Sequence, residues 1–545
     1  MALLLSAEKL RVAFGPRTIF EIDSLQIFDG DRIGLIGENG AGKSTLLSIL
    51  HGEREPDGGM VARFSKSAFI RQFGDAEESE MDASIQARLR AGDAVFSGIS
   101  GGELSRLRVA RALSVRTPLL FVDEPTTNLD FEGLAQVTNA LSAHQGALVL
   151  VSHDRALLDA LCDTIWELSE GTLSIFPGNY SAYRQQKALA LETQRFQYEQ
   201  YRAEQKRIRQ SIQELAQASR QVKKAPSRMG NSEARLQTRG KGNAAKKRLD
   251  KAASGLRSRL ENMEEIERPH ETARIQMGLS GNSGIVSATA VRVENLSLAA
   301  GGKTLLQNAS FSLPTARRTV LVGPNGCGKT TLLRAIRDEA PGVRFSPGVS
   351  IGWFGQETVD TLDESLTLLE NARRDSALPL SAIRTLLARI GLTARDMEKP
   401  VSILSGGERA KTVLARLMAG ETTFLLLDEP SNHLDINALE ALEEMLAAYE
   451  GTLLLVSHDR RLINRVAHRL LLFEKGTLVS FDGNLSEYEA RLTAPVQNRA
   501  MEADILRMRL SALAARMSAP QKGDRPEDLL AEYDEMARKL REMKM

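Results

Sequence analysis

GENGAGKS, at Gly37–Ser44, is a glycine-rich stretch that occurs a second time as GPNGCGKT, at Gly323–Thr330. Each copy follows an apolar run, RIGLI or TVLV, and precedes another, TLLSIL or TLLRAI. Glycines between a strand and a helix allow backbone N–H groups to surround phosphate oxygens at the helix N-terminus. The stretch therefore predicts a P-loop, and its recurrence predicts two nucleotide-binding α/β domains.

The P-loop residues are the first candidate site residues. We expect Lys43 and Lys329 to reach the β- and γ-phosphates of ATP, and Ser44 and Thr330 to offer hydroxyl groups to Mg²⁺. The predicted ATP-binding residues of the two loops are Gly37, Glu38, Asn39, Gly40, Ala41, Gly42, Lys43, Ser44 and Thr45, and Gly323, Pro324, Asn325, Gly326, Cys327, Gly328, Lys329, Thr330 and Thr331.

Three further motifs recur in the same order. ISGGE returns as LSGGE, LLFVDEP as FLLLDEP, and LVSHDR occurs twice. The matched positions Ser100 and Ser405, Asp123 and Asp428, and His153 and His458 all lie 305 residues apart. The chain therefore carries two modules with one motif order.

Acidic residues end a buried strand in each module. Asp123 and Asp428 suit a role at Mg²⁺, and Glu124 and Glu429 suit orienting or activating the attacking water. The alternative is that these acids cap a following helix. His153 and His458 follow another apolar strand; a single histidine there would usually be structural, but its repetition favours a sensor of the γ-phosphate.

The P-loop, SGGE, DEP and SHD motifs in this order resemble ATP-binding cassette domains, over about residues 4–183 and 290–490. The resemblance implies an ATPase with two composite sites, formed head-to-tail within one chain. Gln72 and Gln356 match the Q-loop, which senses Mg²⁺ and nucleotide, and Asp130 and Asp435 match the D-loop. The signatures, which close over ATP held by the opposite cassette, are Ser100, Gly101, Gly102 and Glu103, and Ser405, Gly406, Gly407 and Glu408.

One aromatic position differs between the modules. Phe14 matches the aromatic residue that stacks on adenine, whereas the second module has Ala300 there. Phe14 could equally be a packing residue. The resemblance therefore leaves base stacking in the second site open.

The segment between the modules has a helical pattern. From about residue 183, a run without Pro or Gly carries Phe196, Tyr201, Ile208, Ile212 and Leu215 at helical spacing. Pro226 ends this run, and Gly230, Gly240 and Gly242 loosen the stretch after it. We expect a second helix that Asn243 caps and Pro269 stops, with Leu249, Leu256, Leu260 and Met263 on one face. The pattern predicts an antiparallel helical hairpin.

This segment is also strongly basic. Residues 201–260 hold 17 Lys and Arg against 4 Asp and Glu, whereas the whole chain has a formal net charge of +1. Such asymmetry favours a polyanion partner, and the lack of aromatic residues near the tip favours the backbone of a folded RNA. The alternative is that the charges only solvate the arm. The predicted RNA-binding residues are Lys223, Lys224, Arg228, Met229, Arg235, Arg239, Lys241, Lys246, Lys247 and Arg248.

Two cassettes joined by a basic helical linker resemble the ABC-F family of ribosome-associated ATPases. In that family the linker enters the exit-tRNA site of the 70S ribosome and reaches towards the peptidyl-transferase centre and the P-site tRNA. Many members carry an arm between the Q-loop and the signature of the first cassette. Here that interval spans 28 residues against 49 in the second cassette, so the arm is missing. With RMGNSEARL at the tip, the chain most resembles the antibiotic-resistance branch, especially the kind that acts against lincosamides, pleuromutilins and streptogramin A.

The predicted fold is therefore α/β, with cassettes at residues 1–183 and 288–490, a hairpin at 184–287 whose tip is about 223–243, and a helical C-terminal extension at 491–545. The cofactors are ATP and Mg²⁺, and the partners are rRNA and P-site tRNA rather than a membrane or DNA. Two cysteines, Cys162 and Cys327, and no long apolar run indicate a cytoplasmic protein. Three alternatives remain: the ATPase subunit of a membrane transporter, a DNA-repair ATPase, and a housekeeping ABC-F translation factor.

Overall fold

The computed structural model describes residues 2–15, 17–71, 85, 89, 101–126, 129–221, 233–266, 285–355, 357, 361–376, 378–432, 434–474 and 476–492, with the side chains of Arg17, of 233–243 and of Lys303 outside the description. The chain separates into two compact units. One unit comprises Met1–Ile175 and Arg274–Met545, and the other comprises Phe176–Ala273. The first unit contains both cassettes, and the second contains the hairpin.

The first cassette alternates strands and helices as the motif order predicts. Its elements are β1 (Leu3–Phe14), β2 (Arg17–Phe28), β3 (Arg32–Gly37), α1 (Lys43–His51), β4 (Gly58–Arg63), β5 (Ser67–Ile70), α2 (Gly101–Ser114), β6 (Leu119–Asp123), α3 (Phe131–Ser142), β7 (Ala147–Val151), α4 (Arg155–Leu161), β8 (Thr164–Ser169) and β9 (Thr172–Pro177).

The main sheet brings the motifs to one edge. Its strand order is β5-β6-β7-β3-β8-β9, and β3 pairs in parallel with both β7 and β8. Because β6 and β7 also pair in parallel, the P-loop after β3, the acids after β6 and the histidine after β7 follow the carboxyl ends of neighbouring strands. Ligands of open α/β sheets bind at such an edge. Every residue of β6 and β7 is buried, which explains their continuous apolar sequence.

The hairpin unit consists of α5 (Tyr180–Gln221) and α6 (Glu233–Glu261). The helices are antiparallel, since Ser219 Oγ donates to Asp250 at 2.7 Å while Arg259 lies 3.2 Å from Glu204. Less exposed residues recur on α5 at alternating steps of three and four, the spacing of a two-helix seam. They are Leu191, Gln194, Tyr198, Tyr201, Gln205, Ile208, Ile212, Leu215 and Ser219.

The structure corrects several expectations for the hairpin. Phe196 is 59% exposed and lies outside the seam, where Tyr198 takes the expected place. The second helix begins at Glu233 rather than after an Asn243 cap, and it passes through Gly240 and Gly242. A helical glycine costs only about 1 kcal/mol relative to alanine. The helix-forming residues of EARLQTR offset that cost.

The other end of α6 also differs from the prediction. The helix ends at Glu261, so Pro269 does not stop it, and Met263 follows the helix rather than sharing its face. Leu249, Leu256 and Leu260 are half-buried on one side, as expected, together with the buried Ala253. Residues 222–232, which include Pro226 and the predicted tip, and residues 493–545 lie outside the described residues.

The second cassette repeats the first and adds short helices before its signature. Its elements are β10 (Thr289–Ala300), β11 (Lys303–Pro314), β12 (Arg318–Val322), α7 (Lys329–Arg337), β13 (Val343–Phe345), β14 (Ile351–Phe354), α8 (Leu368–Arg373), α9 (Leu380–Arg389), α10 (Ala394–Met397), a 3₁₀ turn (Val401–Ile403), α11 (Gly406–Ala419), β15 (Phe424–Asp428), α12 (Ile436–Ala448), β16 (Thr452–Val456), α13 (Arg460–Val466), β17 (Arg469–Glu474) and β18 (Thr477–Asp482). Its main sheet has the order β14-β15-β16-β12-β17-β18, which matches the first cassette strand for strand.

Candidate ATP sites

The two P-loops have the same local geometry. Gly42 and Gly328 precede α1 and α7 with φ of 100° and 109°, a left-handed conformation that favours glycine. A Cβ at Gly42 would also lie 2.8 Å from a methyl of Ile19 and 2.9 Å from the ring of Phe20. Glycine is therefore required at this position by both conformation and space.

The P-loop lysines fold back over their own loops. Lys43 Nζ donates to the carbonyls of Gly37 and Glu38 at 2.8 and 2.9 Å, and Lys329 Nζ donates to those of Gly323 and Pro324 at 2.9 and 3.0 Å. Burial lowers the pKa of Lys43, and the neighbouring carboxylates of Glu124 and Asp435 oppose that shift. Each ammonium group thus lies inside the cradle that would receive the phosphates.

A hydroxyl and a carboxylate meet beside each P-loop. Ser44 hydrogen-bonds to Asp123, and Thr330 hydrogen-bonds to Asp428; these bonds oppose the effect of burial, which raises the pKa of both aspartates. Within the described residues, no three His, Cys, Asp or Glu side chains cluster as a metal site. The oxygen donors fit Mg²⁺, which commonly takes one or two protein ligands and completes its shell with water and phosphate oxygens.

Glu124 and Glu429 have an unusual backbone. Both adopt a left-handed conformation, with φ of 47° and 48°, which is strained for a residue with a side chain. Each backbone N–H is anchored to the neighbouring strand, from Glu124 to Val151 at 2.9 Å and from Glu429 to Val456 at 3.0 Å. Because α3 and α12 begin at Phe131 and Ile436 with Asp130 and Asp435 as N-caps, the alternative that the DEP acids cap these helices is wrong.

Burial also sets the protonation of these glutamates. It raises the pKa of Glu124 to about 8, with Asp123 as a further cause, and that of Glu429 to about 7. A carboxyl group whose pKa lies near neutrality can accept a proton from a reacting water. The two glutamates therefore meet the requirement for a general base.

The two histidines lie against these glutamates. Nε2 of His153 is 3.4 Å from Oε1 of Glu124, and Nε2 of His458 is 3.5 Å from Oε1 of Glu429. Burial lowers the pKa of His153 to about 3 and that of His458 to about 4, and the P-loop lysines add to both shifts. Both imidazoles are therefore neutral near pH 7, so they can form hydrogen bonds without adding charge.

The first D-loop connects the cassettes. Asp130 caps α3 through a 2.9 Å bond from Gly133 N–H, and its Oδ2 accepts a 3.1 Å bond from Asn325 N–H in the P-loop of the second cassette. The next residue, Phe131, packs edge-on against the ring of His458, with centroids 5.4 Å apart. The first D-loop is thus docked on the nucleotide-binding elements of the second cassette.

The signature of the second cassette begins a helix. Ser405 caps α11 in a capping box with Glu408, whose carboxylate also pairs with Lys399 at 2.9 Å. In the first cassette, Gly101, Gly102 and Glu103 form the start of α2. Ser100, Gln72 and Gln356 lie outside the described residues, so their predicted roles remain predictions.

Phe14 lies at the end of β1 and is 52% exposed, so it is not a core packing residue. The guanidinium of Arg54 lies 4.6 Å from the centre of its ring. Ala300 occupies the same place at the end of β10. Stacking of adenine on Phe14 remains a prediction.

Sequence reasoning missed an ionic cluster between the cassettes. Arg155, at the start of α4, pairs with Glu443 of α12 and lies 3.2 Å from Asp459. The side chains of Arg155 and Glu443 are almost completely buried. Nearby, Arg461 lies 2.9 Å from Asp159. Arg155 follows the SHD motif directly, but its partner is 288 residues away and no local pattern indicates it.

In the part of the chain that the structure describes, no helix combines the length and the apolar character needed to cross a membrane.

Comparison with known proteins identifies the domains. A family model described as ABC transporter matches residues 20–127 and 306–432, and a second model with the same description matches residues 166–235. The chain is 33% identical to the erythromycin resistance ATP-binding protein MsrA of Staphylococcus epidermidis, over 82% of this chain and 93% of that protein. It is 34% identical to the ribosome protection protein VmlR of Bacillus subtilis, over 84% of each.

Solved structures share the fold. The archaeal ribosome recycling factor aABCE1, in a crystal structure with the ribosomal stalk protein aP1, superposes with a TM-score of 0.61 at 20% identity, over 90% of this chain and 92% of that one. ABCE1 in a model of ribosome-bound archaeal Pelota and ABCE1 gives a TM-score of 0.56 at 19% identity, over 90% and 80%. The fold is therefore shared with these proteins.

Proposed function

The chain belongs to the ABC-F family of tandem ATP-binding cassette ATPases, and from that premise we propose that it binds the ribosome and protects it from antibiotics. In this proposal the protein is cytoplasmic and enters the exit-tRNA site of the 70S ribosome. Its hairpin acts near the peptidyl-transferase centre and contacts rRNA and the P-site tRNA. ATP hydrolysis drives release. The membrane-transporter and DNA-repair alternatives are set aside with the family assignment.

We assign the ATP chemistry to two composite sites. The first composite site combines Lys43, Glu124 and His153 with the signature Ser405–Glu408 and Asp435 of the other cassette. The second composite site combines Lys329, Glu429 and His458 with Ser100–Glu103 and Asp130. The bond from Asn325 to Asp130 supports this head-to-tail pairing. Mg²⁺, held through Ser44 or Thr330 with the adjacent aspartate, would neutralise phosphate charge.

Within each site, each residue has a separate role in ATP hydrolysis. The P-loop lysine binds phosphate oxygens, the glutamate accepts the proton of the attacking water, and the neutral histidine orients a hydrogen bond to the γ-phosphate. The left-handed backbone of Glu124 and Glu429 fixes each carboxylate beside its histidine. Such fixed geometry is what positioning in phosphoryl transfer requires.

The observation that carries the ribosome proposal is the basic hairpin. Its first helix has 42 residues, which corresponds to about 60 Å at 1.5 Å per residue. On the second helix, Lys246, Lys247 and Arg248 are exposed, where they can contact phosphates. Exposed charges of one sign repel each other unless a polyanion is present. The names of two relatives, an erythromycin resistance protein and a ribosome protection protein, favour antibiotic protection.

The proposed effector is the tip. Arg228 can bind phosphate or stack on a base, and Met229 is a flexible apolar side chain that adapts to irregular surfaces. The alternative is that Met229 only stabilises the turn. Residues 225–230, replaced by a minimal glycine turn, should lose protection while ribosome association and ATP turnover persist. Undiminished protection by that variant would place the effector elsewhere in the chain.

The experiment that tests the function is expression in a drug-sensitive bacterium against a panel of peptidyl-transferase inhibitors. We expect the inhibitory concentrations of lincosamides, pleuromutilins and streptogramin A to rise. The inhibitory concentration of a drug that acts on another target should not change. A matched strain carries Glu124→Gln with Glu429→Gln. Normal ribosome association with no change across the panel would favour the housekeeping translation factor.

A further inference from the structure

The two D-loop aspartates, Asp130 and Asp435, have the same kind of hydrogen-bond partner at Oδ1 and different partners at Oδ2. Oδ1 of Asp130 and of Asp435 each accept a 2.9 Å bond from a helix N–H, that of Gly133 and that of Ala438. Oδ2 of Asp130 accepts from Asn325 in the opposite cassette, whereas Oδ2 of Asp435 pairs at 2.7 Å with Lys411 of its own cassette. The D-loop aspartate of the first cassette is therefore held by the opposite cassette, whereas that of the second cassette is held by a lysine of its own cassette.

The Lys411–Asp435 pair is buried. Lys411 is 6% exposed and Asp435 is 3% exposed. Lys411 extends from α11, the helix that the signature begins, and Asp435 caps α12. The pair thus joins the signature helix to the D-loop. The corresponding residue of the first cassette is Arg106, which donates to Gln136 of α3 at 3.3 Å and acts on Asp130 through its charge, where it helps to lower the pKa of that carboxylate.

The pair belongs electrostatically to the first composite site. Asp435 raises the pKa of His153 and Lys411 lowers it, beside the larger effect of burial. These interactions cross from the second cassette to the histidine of the first. Asp435 without Lys411 would present a buried negative charge to the site that receives the phosphates of ATP.

We propose that Lys411 is a positioning residue of the first composite site, where it holds and neutralises the D-loop carboxylate of Asp435 and thereby makes the two ATP sites unequal. The inference rests on the composite sites of the proposed function. Lys411 acts through Asp435 and does not touch the phosphates. The second composite site depends instead on the bond between Asp130 and Asn325.

The test measures ATP hydrolysis by the full-length protein one site at a time. Glu429→Gln leaves the first composite site active, and Glu124→Gln leaves the second. Adding Lys411→Met should raise KM for ATP about tenfold in the Glu429→Gln background, as expected for the loss of one counter-charge at intermediate dielectric. The same substitution should change KM less than about twofold in the Glu124→Gln background, because a distant charge is screened.

One further variant separates positioning from folding. Lys411→Arg keeps a positive charge beside Asp435, so KM should stay close to its starting value in both backgrounds. Melting temperatures of all variants report the fold. If one glutamine substitution abolishes hydrolysis at both sites, the effect of Lys411→Met on each site is measured instead as binding of Mg–ATP. The Lys329→Ala variant then reports the first site, and the Lys43→Ala variant reports the second.

The outcomes are distinct. A selective rise in KM at the first site with Lys411→Met, and no such rise with Lys411→Arg, supports the inference. Equal effects at both sites, or no effect at either, overturn it. If neither glutamine substitution lowers hydrolysis, the assignment of the composite sites is wrong, which is a separate failure.

Discussion

The two cassettes agree in their chemistry and differ in the contacts between them. Both hold a strained glutamate beside a neutral histidine, and both fold a P-loop lysine over two carbonyls. Across the interface, however, Asp130 reaches Asn325, whereas Asp435 is retained by Lys411. The duplication therefore preserves the parts that act on phosphate, and the difference lies in how each half is held by the other.

The ionic cluster between the cassettes is one-sided in the same way. Arg155 is buried with Glu443, whereas its counterpart Arg460 pairs with the half-exposed Glu489 and lies over the ring of Phe131. Thr138 stands in the first cassette where the second has Glu443. One side of the interface is thus fixed by buried charges and the other by contacts near solvent. We expect the two ATP sites to open with different ease.

The largest expected effect tests what the cassettes share. Glu124→Gln with Glu429→Gln should lower ATP turnover about 10²- to 10⁴-fold, because each site loses its general base, while ATP binding persists. Phosphate release and equilibrium nucleotide binding measure the two quantities. Glu199→Gln, at an exposed position on α5 of the hairpin, serves as the control. Single substitutions that lower turnover by different amounts would show that the two sites are unequal, and turnover near the parental rate in the double variant would show that these glutamates are not the general bases.

A smaller effect tests the one-sided cluster. Arg155→Met should cost about 3 kcal/mol of unfolding free energy, at the low end for a buried pair because Arg465 still lies 3.3 Å from Glu443. Arg460→Met should cost less than about 1 kcal/mol, since its ion pair is exposed. Denaturant unfolding of both variants gives the comparison. Equal costs for the two arginines would remove the proposed asymmetry of the interface.

The smallest effect lies outside the cassettes. Replacing Lys246, Lys247 and Arg248 with glutamine should reduce the dependence of ribosome binding on salt. The slope of the logarithm of the binding constant against the logarithm of the salt concentration should fall in magnitude by about two to three, since each phosphate contact contributes roughly 0.7 to 0.9. ATP turnover without ribosomes should not change at either site. Binding titrations at several salt concentrations measure the slope. If the slope is the same as for the parent, other residues contact the RNA.

Sequence reasoning succeeded where local chemistry constrains the chain. The P-loops, the acids after β6 and β15 and the histidines after β7 and β16 all occupy the predicted strand ends, because phosphate binding demands particular residues in a particular local conformation. The antiparallel hairpin was likewise predicted from apolar spacing. The left-handed backbone of Glu124 and Glu429 was not, since glutamate carries no local sign of that conformation.

The errors have physical causes too. Asn243 is a good N-cap residue, but α6 continues on its N-terminal side to Glu233, because two glycines cost less than helix formers and helix pairing supply. Phe196 has the right character but the wrong phase for the seam. Arg155 with Glu443, and Lys411 with Asp435, join residues that only the folded chain brings together. Such pairs leave no periodic pattern in the sequence.

In the proposed function, ATP holds the protein on the ribosome and hydrolysis releases it. The most direct measurement is co-sedimentation of the Glu124→Gln, Glu429→Gln variant with 70S ribosomes in the presence and absence of ATP. We predict that ATP traps the variant in the ribosome fraction, while the parent protein dissociates as it hydrolyses ATP. If the variant binds ATP normally but stays in the supernatant with ATP present, ATP does not hold the protein on the ribosome.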